Sequence, residues 1–355
     1  MVDSVDADLA DATVREMVQT LQPAWRVETI DRDQHGTDFV ATVEAETPDG
    51  HRTAVLKATT AGLVGELART EPRMLELVSG KTSVPVPTVF GYRDEHPEFP
   101  TPFYLMSHES GANFENDPHA LPPAARERVL REAGENLAEI HALGPLDAVG
   151  KVGVRNDELV VLDAGDHPSY DDSREYALDS GLEALETLDS GGFFPEFAEQ
   201  PERFADLAAP LREYLQETAP ALPASARPTY CHRDYRYGNL LVDPETGATR
   251  AVLDWAGTLS VEPAYNLAIA EWLLLSPDED SASRTRTLRE TFRDAYAEAR
   301  DGWRFTAERR ERMRFYRLVC RLHAMACLPL WHREATSERR DEVEADHRAF
   351  VADYL

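Results

Sequence analysis

The chain has 355 residues, 42% hydrophobic and 29% charged, enough for two packed lobes and too ordered in composition for wholesale disorder. It contains no run of about 18 apolar residues, which excludes a membrane-spanning helix. Its net charge of −28 is the opposite of the basic patches that nucleic acid rewards.

The N-terminus, MVDSVDADLADATV, is acidic where a signal peptide needs a basic start and an apolar run, so cytoplasmic residence is expected. Residues 8–21 carry apolar positions at helical spacing, and strand-like runs follow at about 25–31, 38–46 and 52–59. Asp49-Gly50 is a strong hairpin turn between the last two. A helix is expected at about 70–79, then VPVPTVFGY held extended by its prolines, then a strand at FYLMSH, 103–108. RERVLREAGENLAEIHAL, 126–143, puts Leu130, Ala133, Leu137 and Ile140 on one helical face. Residues 145–175 read as an elaborated loop with one short strand-like run at 159–162. Helices are expected at about 174–188, 202–216, 264–275, 282–300 and 306–328, and near the C-terminus, with one more β-like unit at 230–254. The fold class is therefore α+β. A small antiparallel β lobe (1–109) is joined through a connector near 106–111 to a larger helical lobe (112–355), with a cleft between them. Cys231, Cys320 and Cys327 are too few and scattered for a disulfide framework or a zinc site, and read as free, mostly buried thiols.

The informative segment is YCHRDYRYGNLLVDPETGATRAVLDW, 230–255. LLV and AVL flank the turn signal DPETG. A hairpin there sets Asn239, at the entry of one strand, beside Asp254, at the exit of the other. Asp234 lies in the loop leading in. Such an oxygen-rich trio suits Mg²⁺, which takes few carboxylates and completes its shell with substrate phosphates. Each piece alone is an ordinary turn, cap or surface residue; the ordered string carries the signal.

That string resembles the His-Arg-Asp, four residues, Asn catalytic loop of protein kinases. With VLDW and EPAYNLA following, the chain more closely resembles the aminoglycoside phosphotransferase family of kinase-like enzymes, over about residues 30–330. YLMSHESG is similar to its interlobe hinge and LAEIHAL to its helix ending in histidine. The resemblance implies a two-lobed protein-kinase-like fold and transfer of a phosphoryl group from ATP to a small-molecule hydroxyl. Asp234 would orient or accept the hydroxyl proton. Asn239 and Asp254 would hold Mg²⁺, and His232 would brace the loop. Lys57, in RTAVLKA, would hold the ATP phosphates and pair with a glutamate on the next helix. Glu71 is that partner, sitting at the helix start before Pro72 with Thr70 as N-cap, and Glu66 is the alternative. The Ser107 carbonyl and Glu109 amide, behind Met106, would bind adenine. Gly36, in RDQHGTDF, would lie in the turn over the phosphates.

Two departures stand out. Asn266 occupies a position where the family has Asp, which reduces the charge bracing the catalytic loop; Arg233 replaces a glycine. The short span between Asp254 and Glu262-Pro263 and the missing Asp-Phe-Gly motif weigh against a protein kinase. A non-enzymatic nucleotide-binding protein of kinase fold is the other alternative. The acceptor, the ATP or GTP preference and the oligomeric state are not legible. The helix 306–328, with Arg314, Arg317, Arg321 and His323, is expected to shape the acceptor pocket; its plainer reading is a core stripe with a solvated arginine face.

Only Lys57, Lys81 and Lys151 are lysine among 37 basic residues. An acidic, lysine-poor, Ala-rich chain points to a salt-rich cytoplasm; an acidic partner-binding face, or solubility alone, would produce the same balance. At about 1 M salt the Debye length falls to roughly 3 Å and self-repulsion is largely screened. Unfolding midpoints are therefore expected to rise between 0.05 M and 2 M KCl; equal midpoints would exclude salt adaptation.

Overall fold

A computed structural model describes residues 9–33, 38–59, 66–275 and 282–355. Gly36 of the expected phosphate turn lies outside the described residues, as do 276–281.

Helix α1 (Asp11–Leu21) packs on an antiparallel sheet of β1 (Arg26–Asp33), β2 (Phe39–Thr47), β3 (Gly50–Ala58), β4 (Val89–Arg93) and β5 (Phe103–Ser107), in the order β1-β2-β3-β5-β4. The alternation of β2 buries Phe39, Ala41, Val43 and Ala45 against Val14, Met17 and Val18 of α1. Leu56 and Ala58 of β3 join the same core, which turns Lys57, paired in register with Val40, to the other face. The β2–β3 turn is at the expected place, but Gly50 opens the returning strand, opposite Thr47, with φ 108°.

Helix α2 (Thr70–Lys81) matches the expected position with a different start. Arg69, not Thr70, is the N-cap, and no side chain caps the helix. Thr70 is already helical, and its hydroxyl donates to the Val152 carbonyl at 3.3 Å. The buried Met74, Leu75 and Val78 of α2 belong to the core of the helical part of the molecule, as do Val84 and Tyr104. The helix thus joins the two halves.

The larger half holds α3 (Pro123–Ala142), α4 (Ser173–Thr187), α5 (Ala205–Ala221), α6 (Pro263–Leu274), α7 (Ala282–Ala299), α8 (Ala307–Trp331) and α9 (Ser337–Ala352). The expected face of α3, Leu130, Ala133, Leu137 and Ile140, is fully buried. The stretch 145–175 is more ordered than expected. It contains the hairpin β6 (Gly150–Arg155) and β7 (Glu158–Val161), turned at Asn156 and Asp157, both with positive φ. Two further strands, β8 (Thr229–Cys231) and β11 (Leu259–Val261), complete the sheet β7-β6-β11-β8. The hairpin of β9 (Leu240–Val242) and β10 (Thr249–Val252) forms as expected, its turn closed by Asp243 accepting from the amides of Glu245 and Thr246. The interlobe connector docks on it: Ala112 and Val242 exchange backbone hydrogen bonds of 2.8 and 3.0 Å.

A chain of buried polar groups fixes the loop between β8 and β9. Helix α3 comes so close to α7 at Gly134 that a side chain there would strike the backbone of Phe292 and Tyr296. Tyr296 then donates to His141 Nδ1 at 2.8 Å, and His141 Nε2 donates to Asn266 Oδ1 at 3.0 Å. Asn266 Nδ2 donates to the His232 carbonyl at 2.9 Å, and His232 Nε2 to the Leu253 carbonyl at 2.9 Å. The uncharged Asn266 suits this chain, because burial pushes His141 down to about 3 and leaves it neutral.

Burial likewise pushes His347 down to about 3 and His323 to about 4. These histidines stay neutral in the fold at pH 5 but are protonated in the unfolded chain, whose ordinary value is about 6.5. Below that value the unfolded state binds more protons, so stability falls as pH drops, by up to about 1.4 kcal/mol per pH unit for each histidine. Urea unfolding between pH 7 and 5 at fixed KCl is expected to show this loss, with a shallower slope in His347→Gln. An unchanged slope in that variant would count against it.

Candidate active site

A cleft of 810 Å³ lies between the two halves. The alternation that buries Leu56 points Lys57 into it, and the start of α2 points Glu71 at Lys57. Lys57 Nζ donates to Glu71 Oε2 at 2.7 Å and lies 3.5 Å from Asp38 and 4.0 Å from Asp254. Glu66 takes a different partner, accepting from Arg155 at 2.8 Å. Glu71 is 4% exposed, and its other oxygen accepts from the Trp255 amide at 3.3 Å. Burial opposes the Lys57 charge, but Glu71 and Asp254 outweigh it and hold the ammonium above the ordinary lysine range. Burial also opposes the Glu71 charge; Lys57 overcomes it and lowers the carboxyl. Asp38 is a cleft residue that the sequence reading misses. It stands just before β2, two positions ahead of the cleft-lining Val40, so period-two reasoning around Lys57 could have found it.

The β9–β10 hairpin brings Asn239 and Asp254 together as expected: Leu253 donates to the Asn239 carbonyl at 2.8 Å, and Asp254 follows. Asp254 holds the left-handed φ of 60°, a conformation uncommon outside glycine, and its side chain is half exposed to the cleft. Burial, then the Glu71 charge, pushes its carboxyl up, with Lys57 pulling it back. Asn239 Nδ2 donates to the Asp234 carbonyl and to Asp234 Oδ2, both at 2.8 Å. Arg236, also missed by the sequence reading, donates to the same Oδ2 at 2.9 Å and pairs with Glu115. Asp234 thus has one oxygen fixed by two donors, while the described residues offer Oδ1 no hydrogen bond. His232 packs edge-on against Trp255 at 4.6 Å, and burial pushes its imidazole down. The Asn266 link described above holds this loop from behind.

At the connector, Ser107 exchanges hydrogen bonds with Thr88, and its hydroxyl bonds Glu109. Met106 lines the cleft beside them. Among the described residues no group of three or more His, Cys, Asp or Glu is placed to hold a metal ion. Asn239 and Asp254 fit a hard cation whose remaining ligands are phosphate oxygens and water.

The end of the cleft away from Lys57 is built by α4, α6 and α8. On α8, Cys320, His323, Ala324 and Cys327 share one face toward the cleft. Its stripe Met313, Phe315, Leu318 and Leu322 is core. Its arginines are engaged elsewhere: Arg314 over Tyr354, Arg317 with Glu271, Arg321 over Phe350. All three cysteines are free, Cys231 and Cys320 buried and Cys327 partly so.

The chain is similar over 192 residues to mouse acyl-CoA dehydrogenase family member 10, at 28% identity. The match takes in 52% of this chain and 15% of the relative, so the chain spans a small part of that protein's length. Among solved structures it resembles a thermostable mutant of aminoglycoside phosphotransferase APH(4)-Ia in complex with ADP and hygromycin B. The TM-score is 0.62 and the identity 16%, over 96% of this chain and 98% of that one. A GDP complex of an aminoglycoside 2′-phosphotransferase-IIIa mutant superposes with TM-score 0.61 at 14% identity, over 96% and 98% of the two chains. The two-lobed, protein-kinase-like fold is therefore present. The model of the phosphotransferase enzyme family matches residues 29–316, and the chain belongs to that family.

Proposed function

We propose that the enzyme moves the γ-phosphoryl of Mg·ATP to a hydroxyl of a small molecule, with residues 1–109 holding the nucleotide and 112–355 the acceptor. The observation that carries this is the convergence of Asp234, Asn239, Asp254 and the Lys57–Glu71 pair in one cleft. Lys57 binds phosphate oxygens, and its charge, sustained by Glu71, is available at any physiological pH. The Ser107 carbonyl and Glu109 amide hold the base beside Met106. Asn239 and Asp254 hold Mg²⁺, which supplies neutralisation of the phosphate charge. Asp234, with Oδ2 fixed, accepts or orients the acceptor's proton through Oδ1. The hydroxyl oxygen then attacks the γ-phosphorus and ADP leaves. The related structures carry ADP or GDP, in keeping with a nucleotide in this cleft.

The short segment after Asp254 favours a small acceptor over a protein. Trp255, Leu259 and Val261 are buried, and β11 is paired on both sides, so no open platform remains for a peptide.

ADP formation in KCl with Mg²⁺, across aminoglycosides, sugars, amino alcohols, hydroxy acids and nucleosides, tests the reading. Acceptor-dependent turnover is expected, and Asp234→Asn is expected to lower it by about 10²–10⁴ with ADP still bound. Undiminished turnover in Asp234→Asn would remove Asp234 from the chemistry; a folded protein that never consumes ATP would remove the enzyme assignment.

A further inference from the structure

The cleft contains two electrostatic neighbourhoods that meet at Asp234. One is Lys57 with Asp38, Glu71 and Asp254. The other surrounds Arg233, whose charge acts on Asp234, Tyr176, Tyr265, Cys320, Cys327 and His323. The carboxylates that line the cleft are Asp38, Glu71, Asp234 and Asp254, all in or next to the first neighbourhood. Among the described residues none lines the acceptor end. Its walls there are apolar and aromatic: Tyr265, Ile269, Trp272, Leu273, Ala324 and Trp331.

Arg233 is the fixed charge of this end. Its neighbour Arg236 is tied to Asp234 and Glu115, but Arg233 makes no hydrogen bond or ion pair with any described residue, although it lines the cleft. His323 adds no charge near neutral pH, and its Nε2 is bound to Ser180. An exposed guanidinium at the cleft surface, with Asp234 as its charged neighbour and its donors unbonded among the described residues, can take a carboxylate in a forked, charge-assisted contact. A polycation meets like charge here and, among the described residues, no carboxylate beyond Asp234.

We propose that the acceptor is a small hydroxy-carboxylate with an apolar body, whose carboxylate is bound by Arg233 and whose hydroxyl is thereby set at Asp234. One cation matches a monoanion, which favours a carboxylate over a phosphate dianion. This rests on the phosphotransferase reading above and names its substrate class. In the transfer, the acceptor oxygen bonds to the γ-phosphorus as the bond from that phosphorus to the leaving ADP oxygen breaks. The hydroxyl proton goes to Asp234, and the carboxylate stays unchanged.

The test is calorimetric binding to the full chain with Mg·AMP-PNP present, paired with ADP formation under Mg·ATP. The probes are short linear hydroxy acids, their methyl esters, glycerol 3-phosphate and kanamycin. The best acid is expected to bind about 10- to 100-fold tighter than its ester, the range of a charge-assisted bidentate contact. Kanamycin should bind weakly or not at all. Arg233→Gln should bring the acid-to-ester ratio near one, and Arg233→Lys should restore part of it; unfolding midpoints of both variants identify a folding defect. The proposal falls if acid and ester bind alike, if the ratio survives in Arg233→Gln, or if kanamycin or glycerol 3-phosphate outcompetes every acid. Preferred acid binding without ADP formation would sustain the anion site and sink the phosphotransferase reading. ADP formation driven by kanamycin would do the reverse.

Discussion

Glu71 is the interaction on which the site depends. It is a carboxylate buried at the seam between the sheet and the helical half, and a buried carboxylate is tolerated only with its lone pairs engaged. One oxygen holds Lys57 on β3; the other holds the amide of Trp255, next to Asp254. A single side chain on α2 thus sets the distance between the lysine of one half and the Asp254 carboxylate of the other. Because α2 packs into the larger core through Met74, Leu75 and Val78, Glu71 is anchored on that side and reaches across to the sheet. Removing one member of such a pair leaves the other buried and uncompensated, at a cost of roughly 3–5 kcal/mol.

Behind it, the loop carrying Asp234 is held by neutral groups. The sequence places Asn266 where the family has a charged residue, and the structure gives the physical counterpart: His141 is uncharged, and an amide can accept from it while donating to the His232 carbonyl. A carboxylate at that position could accept from His141 but would meet the His232 carbonyl without a proton to offer. The asparagine therefore changes the electrostatics of the brace and keeps its connectivity.

Where local chemistry decides, the sequence is informative. Asp49-Gly50 and DPETG mark their hairpins because turn geometry demands those residues. The spacing from Asp234 to Asn239 and Asp254 is legible because one hairpin register joins its last two members. The β6–β7 hairpin is less legible, although Asn156-Asp157 carries a turn signal, since short strands in a Gly- and Asp-rich stretch look like loop. Thr70 reads as a cap but is drawn into the helix by a bond to Val152, eighty-two residues away in sequence. The end of the cleft away from Lys57 is hardest to read: its residues come from α4, α6, α8 and the loop between β8 and β9, and only folding brings Arg233 and His323 into one cleft.

The net charge of −28 also has to be separated from the charge that a ligand meets. Two glutamates on or beside α6, the helix that supplies Ile269 and Trp272 to the cleft, are taken up by arginine. Arg312 grips the fully buried Glu262 with bonds of 2.7 and 3.1 Å, and Tyr316 adds a third at 2.6 Å. Arg289 and Arg293 hold Glu271 at 2.8 and 2.7 Å. The contacts of Arg312 and Arg293 are forked and lysine cannot reproduce them, which gives a structural reason for arginine so far outnumbering lysine. Salt screens exposed pairs far more than these buried ones, so α6 stays clamped under conditions that quiet the acidic surface. A chain can thus be strongly acidic as a whole while Glu262 and Glu271, the carboxylates on and beside this helix, are already spent on holding it in place.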